Sequence, residues 1–320
     1  MLIHVSLLII GLGVLVLAAE FLVRGASSLA RKIGVKPLVI GLTAVAFGTS
    51  MPELVVNIYS AFRGTADIAI GNVIGSNIAN ILLILGLSAA IVPLIVKHST
   101  VWKEVPLALL AMVLVFFMGN DIWLDGASRD LLSRTDGFLL ISVFIIFLYY
   151  TFGMAKADAD SEASGNVRIY KNKYSIIFMV AGIVGLYLGG KLLVDQAVIM
   201  ARLAGMSEAL IGLTIVAVGT SLPELATSVV AAVHRQSDLA VGNIVGSNIF
   251  NVFWILGLTS TILPLSFNAA VNTDVAVGIG ATFLLFLAMF VGQRHKLERW
   301  QGILFILLYF SYLAYIVVRG

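Results

Sequence analysis

Two glutamates define the chemistry open to this sequence. Glu53 and Glu224 lie deep inside apolar stretches, within Gly-Thr-Ser-Met-Pro-Glu-Leu and Gly-Thr-Ser-Leu-Pro-Glu-Leu. An ionisable side chain at bilayer depth costs about 2.5–3.5 kcal/mol on insertion scales. Two such residues in matched surroundings point to a use. The alternative is a protonated glutamate hydrogen-bonding between helices.

The neighbours are a set of oxygen donors. Thr49 and Ser50 precede Glu53 by four and three residues, so a helix places all three on one face. Thr220, Ser221 and Glu224 repeat that spacing. Asn72, Ser76 and Asn80 form a stripe at every fourth residue, as do Asn243, Ser247 and Asn251. The chain has no cysteine, and its four histidines all fall near the ends of apolar stretches. An all-oxygen set suits hard cations such as Ca²⁺ or Na⁺ and disfavours zinc or copper. Two carboxylates match the charge of one Ca²⁺. Each hydroxyl and amide could equally serve helix-to-helix hydrogen bonds. For Asn72 and Asn243 that second role is the expectation.

Pro52 and Pro223 lack an N–H and crowd the carbonyls of Gly48 and Gly219, four residues back. The helices should kink or break there, with carbonyls freed toward the site. Irregular backbone at membrane depth is tolerated where it is buried in protein or lines a cavity. Gly71, Gly75, Gly242 and Gly246 have the spacing that lets helices approach closely.

The elements that position these groups follow from composition. The chain is 60% hydrophobic and 12% charged, about half the charge of a soluble domain. A span needs about 20 apolar residues. Ten candidates emerge: 2–23, 36–62, 67–95, 104–120, 135–153, 175–198, 207–233, 239–265, 273–292 and 300–318. The N-terminal stretch has no basic leader and too long an apolar run for a signal peptide, so it reads as a retained helix. Residues 154–174 are the longest polar stretch and separate 1–153 from 175–320.

These two parts are copies. Gly34–Pro93 aligns with Gly205–Pro264 without gaps at an offset of 171, with roughly half the positions identical. Five spans per half invert the second copy, a known way to build transporters. The expected fold is therefore all-α and polytopic, with ten transmembrane helices in two inverted-topology repeats of five. Loops after the odd-numbered spans hold fourteen of the 20 Lys and Arg residues. That bias puts the central loop in the cytoplasm and both termini outside.

Other charges promise less. Glu20 with Arg24, and Lys191 with Asp195, have the spacing of local ion pairs. Asp158, Asp160 and Glu162 suggest a calcium loop, but Ala163 stands where that loop needs glycine. No basic stripe marks a nucleic-acid binder, and no HExxH motif marks a metalloprotease. The reading is of a non-enzyme.

The paired motifs GTSMPE with GSNIAN, and GTSLPE with GSNIFN, resemble the alpha-repeats of the cation/calcium antiporter superfamily. The prokaryotic sodium/calcium exchanger branch is the nearest likeness. The resemblance implies secondary active exchange of Na⁺ for Ca²⁺ by alternating access in a prokaryotic inner membrane. It implies no cofactor, and no partner beyond the lipid bilayer and the transported ions. It implies ligands at Glu53, Glu224, Thr49, Ser50, Thr220, Ser221, Ser76, Asn80, Ser247 and Asn251, with backbone carbonyls at Ala46 and Ala217. Some relatives, potassium-dependent exchangers among them, carry aspartate where this chain has Asn251. Two acidic groups, not three, argue against potassium co-transport. Proton-coupled calcium exchange on the same fold is the alternative, and a cation channel a weaker one.

Overall fold

The computed structural model describes residues 2–153, 169–203 and 217–319. The 154–168 stretch, with its acidic cluster, and the start of the seventh expected span lie outside the described residues.

Nearly all of the described chain is helical. Helix α1 spans Leu2–Ile33, α2 Pro37–Thr49 and α3 Met51–Phe62. They are followed by α4 (Ala66–Ile91), α5 (Thr100–Met118), α6 (Arg134–Gly153) and α7 (Asn172–Leu203). The last group is α8 (Ala217–Thr220), α9 (Leu222–Val233), α10 (Ser237–Ile262), α11 (Ala269–Ala288) and α12 (Arg299–Arg319). Eight of these are long and apolar enough to cross a membrane, and α2 with α3 makes a ninth, bent by 46°. The described part of the seventh expected span, α8 with α9, is shorter than a full crossing. The first span runs ten residues beyond its expected end, and α7 extends past the expected 175–198 at both ends.

Burial sorts the helices into centre and rim. The most apolar window of α10 is 94% buried and that of α4 72%, against 28% for α1, α6, α7, α11 and α12. The rim helices turn large apolar residues outward, among them Leu17, Ile145 and Leu307. The inside instead holds fully buried polar residues such as Asn57, Asn243 and Ser247. An apolar outside over a core that also holds buried polar residues is what lipid solvent selects.

Helices α1 and α7 pack along glycines. A methyl group at Gly182 would lie 2.7 Å from the Leu22 backbone nitrogen, and one at Gly25 2.7 Å from the Ser175 carbonyl. Gly189 and Gly185 make similar approaches to Leu15 and Ala18. Between α10 and α2 the close contact is also glycine-based, at Gly242 and Gly246. Gly71 and Gly75 meet no described atom at such range, and the segment matching their expected partners, 209–216, is outside the described residues.

Small straps join the halves. β1 (Leu94–Ile95) pairs antiparallel with β4 (Lys296–Leu297), and β2 (Leu131–Leu132) with β3 (Leu265–Ser266). Cross-links sort by face. On one face Lys97 pairs with Asp238, His234 with Glu20, and Ser27 with Gln236. On the other, Asn120 bonds Asn272, His4 bonds Gln196, and Arg319 pairs with Asp274.

Candidate cation site

The broken helices bring their polar ends to the centre. α2 stops at Thr49, Ser50 adopts φ −85° and ψ 9°, and α3 starts at Met51 with Pro52 in its first turn. Ser221, at φ −87° and ψ 5°, joins α8 to α9 in the same way, with Pro223 in the first turn. Proline is well placed there, because the first-turn N–H groups of a helix have no internal partner. Glu53 and Glu224 therefore occupy the first turns of α3 and α9, where the helix dipole favours negative charge. Both are 1% exposed.

The two halves bond each other's residues. Ser50 Oγ donates to Glu224 Oε1 at 2.9 Å, and Ser221 Oγ to Glu53 Oε1 at 3.5 Å. Thr49 donates to Asn243 Oδ1 at 3.1 Å, and Thr220 to Asn72 Oδ1 at 3.4 Å. Ser247 donates to Glu224 Oε1 at 3.4 Å, and Ser221 reaches Ser76 Oγ at 3.3 Å. Every expected side-chain ligand of the first half is thus within reach of the second. Asn243 also donates to Ser228 Oγ and the Glu224 carbonyl. The Ala46 carbonyl accepts from Ser50 N and Thr49 Oγ1, so in this conformation it is bound within its own helix. Ala217 opens α8. Its side chain is outside the described residues.

Two residues outside the expected set organise the centre. Asn77 and Asn248 exchange bonds: each Nδ2 donates to the other's backbone carbonyl at 3.3 Å. Their Oδ1 atoms accept from Asn251 Nδ2 and Asn80 Nδ2, both at 2.9 Å. Pinning these amide nitrogens fixes which way Asn80 and Asn251 point. Among the described residues their Oδ1 atoms are buried without a hydrogen-bond partner, as are Oε2 of Glu53 and of Glu224. Four such buried acceptors, related by the repeat, would suit a positive charge.

At this point both central helices change winding. Residues Ala79–Leu85 and Phe250–Leu256 are π-helical, again at the repeat offset. The wider turn carries Asn80 and Asn251, in keeping with the tendency of π-bulges to mark functional positions.

One expected ion pair does not form. Glu20 and Arg24 are bonded to each other, and Glu20 also bonds His234 at 2.7 Å. Lys191 and Asp195 have no ion-pair partner among the described residues. On a helix the acid-before-base order is the favourable one, and Lys191 precedes Asp195. Exposed pairs of this kind are worth only about 0.3–0.5 kcal/mol, so small geometric preferences separate them.

An all-helical membrane protein with a polar, carboxylate-bearing centre is the class that fold and geometry define. The sodium/calcium exchanger protein family matches residues 3–153 and 174–318, and this chain belongs to that family. The sodium/calcium exchanger MaX1 of Methanosarcina acetivorans is 33% identical, covering 96% of this chain and 97% of its own length. Inner membrane protein YrbG of Escherichia coli is 37% identical over 82% of this chain and 81% of its own. The solved structure of the sodium-calcium exchanger NCX_Mj superposes with a TM-score of 0.83 at 34% identity, covering 98% of both chains. The chain is thus a member of a cation exchanger family and a membrane protein.

Proposed function

We propose that this protein exchanges Na⁺ for Ca²⁺ by alternating access, using one central site shared by two inverted five-helix repeats. The repeats are 1–153 and 175–320, with 154–174 between them. The observation that carries the reading is the set of four free, buried acceptors: Glu53 Oε2, Glu224 Oε2, Asn80 Oδ1 and Asn251 Oδ1. Hydroxyls of Thr49, Ser50, Thr220, Ser221, Ser76 and Ser247 complete the set once they turn their oxygens to the ion. The carbonyl of Ala46 joins when its intrahelical bonds rearrange, and that of Ala217 is its counterpart in the second repeat. The exchange of bonds between halves supports the repeat-related geometry. The names of MaX1 and NCX_Mj support the ion pair.

Charge enforces coupling. Ca²⁺, or Na⁺ ions in sufficient number, neutralises the two glutamates. The loaded centre is then free to change sides. An empty centre keeps two carboxylates in low dielectric, which holds it where water reaches it. The family resemblance suggests α1 and α7 as the moving part; close glycine contacts join the two helices into one unit, and neither strap includes them. Net charge movement would be worth about 2.3 kcal/mol per charge per 100 mV. On the basic-residue bias the termini lie outside and the 154–174 segment in the cytoplasm; the inner-membrane name of YrbG supports the membrane itself.

The test is radiolabelled calcium uptake into proteoliposomes loaded with sodium, potassium or choline, beside a proton gradient. Uptake that requires internal sodium and is lost in Glu53→Gln and Glu224→Gln supports the proposal. Uptake driven only by protons keeps the site and replaces the coupling ion. No calcium flux under any gradient overturns it.

A further inference from the structure

A cleft of about 140 Å³ runs between α7 and the two broken helices. Pro52, Thr220 and Pro223 line it from the broken helices, next to the carboxylate-bearing turns. Lys191 and Asp195 line it from α7, and both are exposed. They lie on the face marked by the His4–Gln196 bond.

The equivalent positions on α1 behave differently. Glu20 and Arg24, 171 residues earlier, are tied to each other, and Glu20 to His234. Ser27 is bonded to Gln236 just beyond them. That face is closed by contacts between α1 and the turn after α9. Lys191 and Asp195 have no such ties among the described residues. They border a cleft also lined by the apolar Leu186 and Val194. Clefts with low-dielectric walls focus the field of the charges at their rim.

We propose that Asp195 and Lys191 set cation access to the central site from this face, in opposite senses. Asp195 raises the local cation concentration at the mouth and Lys191 lowers it. The inference rests on the cation-transport reading and names the residues that tune its apparent affinity without touching the bound ion.

The test measures calcium KM and kcat for reconstituted protein presenting the cleft face, at roughly 0.01 M and 1 M ionic strength set with choline chloride. The Debye length falls from about 30 Å to about 3 Å between those conditions. At low salt, Asp195→Asn raises KM about threefold and Lys191→Gln lowers it about threefold, the scale of one charge acting on a divalent ion through water. The double variant returns near wild type, which also shows that neither change damages the fold. At high salt the four proteins converge, while kcat holds throughout. Unmoved KM in both single variants, shifts in the same direction, or shifts that persist in high salt would overturn the inference. A wild type that moves no calcium defeats the transport reading itself; a transporting wild type with unmoved KM defeats this inference alone.

Discussion

Truncating Asn77 separates the central site from its support. Asn77 is 2% exposed and its Oδ1 accepts the Asn251 amide at 2.9 Å. Its Nδ2 donates to the Asn248 carbonyl at 3.3 Å and touches Met112 sulfur. Asn77→Ala leaves the Asn251 amide donor buried without its partner and removes an additional donor from the Asn248 carbonyl, which stays within its helix. A stranded buried group costs about 1–3 kcal/mol. The Asn77 carbonyl still accepts from Asn248, so the half-to-half contact is weakened but kept. With nothing holding its nitrogen, the Asn251 amide can turn, and its oxygen no longer faces the ion. Outer partners of metal ligands are typically worth about 10–100-fold in affinity. Calcium affinity of Asn77→Ala should fall by that factor, about 1.4–2.8 kcal/mol. Calorimetric titration of purified protein reads the affinity, and thermal unfolding reads the stability. In a double-mutant cycle with Asn251→Ala, the double variant should bind no worse than Asn251→Ala alone. Fully additive losses, or an affinity within twofold of wild type beside a lowered melting temperature, would refute the reasoning and leave Asn77 as a structural residue only.

Further expectations follow from the same contacts. Ser50→Ala removes the shorter of two donors on Glu224 Oε1 and should raise calcium KM about tenfold or more, about 1.5–3 kcal/mol for a bond to a charged group, and more than Ser221→Ala, whose bond is longer. Gly182→Ala forces a methyl against the Leu22 backbone and should lower stability by about 1–3 kcal/mol and slow transport, read by melting in detergent and by initial uptake rate. Gly13→Ala, with open space around it, is the control and should be neutral or stabilising by up to about 1 kcal/mol. Asp274→Asn breaks the Arg319 pair and weakens the Tyr312 bond between α11 and α12. It should lower the melting temperature while calcium KM stays put.

The buried carboxylates and the helix breaks were legible in the sequence, because they rest on residue types repeated at one offset. Glu53, Glu224 and the prolines announced buried carboxylates at helix breaks, and the breaks fall at Ser50 and Ser221 beside those prolines. The support was not legible for a geometric reason. Asn77 and Asn248 sit one residue past Ser76 and Ser247, about 100° around an ideal helix. Face counting therefore assigned them elsewhere, although they meet each other across the repeat boundary. The π-helical turns also escaped, since nothing in the Ala-Asn-Ile-Leu run distinguishes one winding from another. The straps are two residues long, too short to carry an alternating pattern. Lys191 and Asp195 had the spacing of a pair, and spacing alone could not decide so small an energy.

The bonds that Asn77 and Asn248 trade have the form of an isologous dimer interface, in which one patch meets its own copy. In a true dimer of identical chains, any substitution would appear on both sides of the axis at once. Here one chain carries both patches, so each side can change alone. Asn57 stands where the other half has Ser228, and Lys191 and Asp195 where it has Glu20 and Arg24. A centre that keeps its symmetry is thus flanked by two dissimilar faces, each adjustable without disturbing the other.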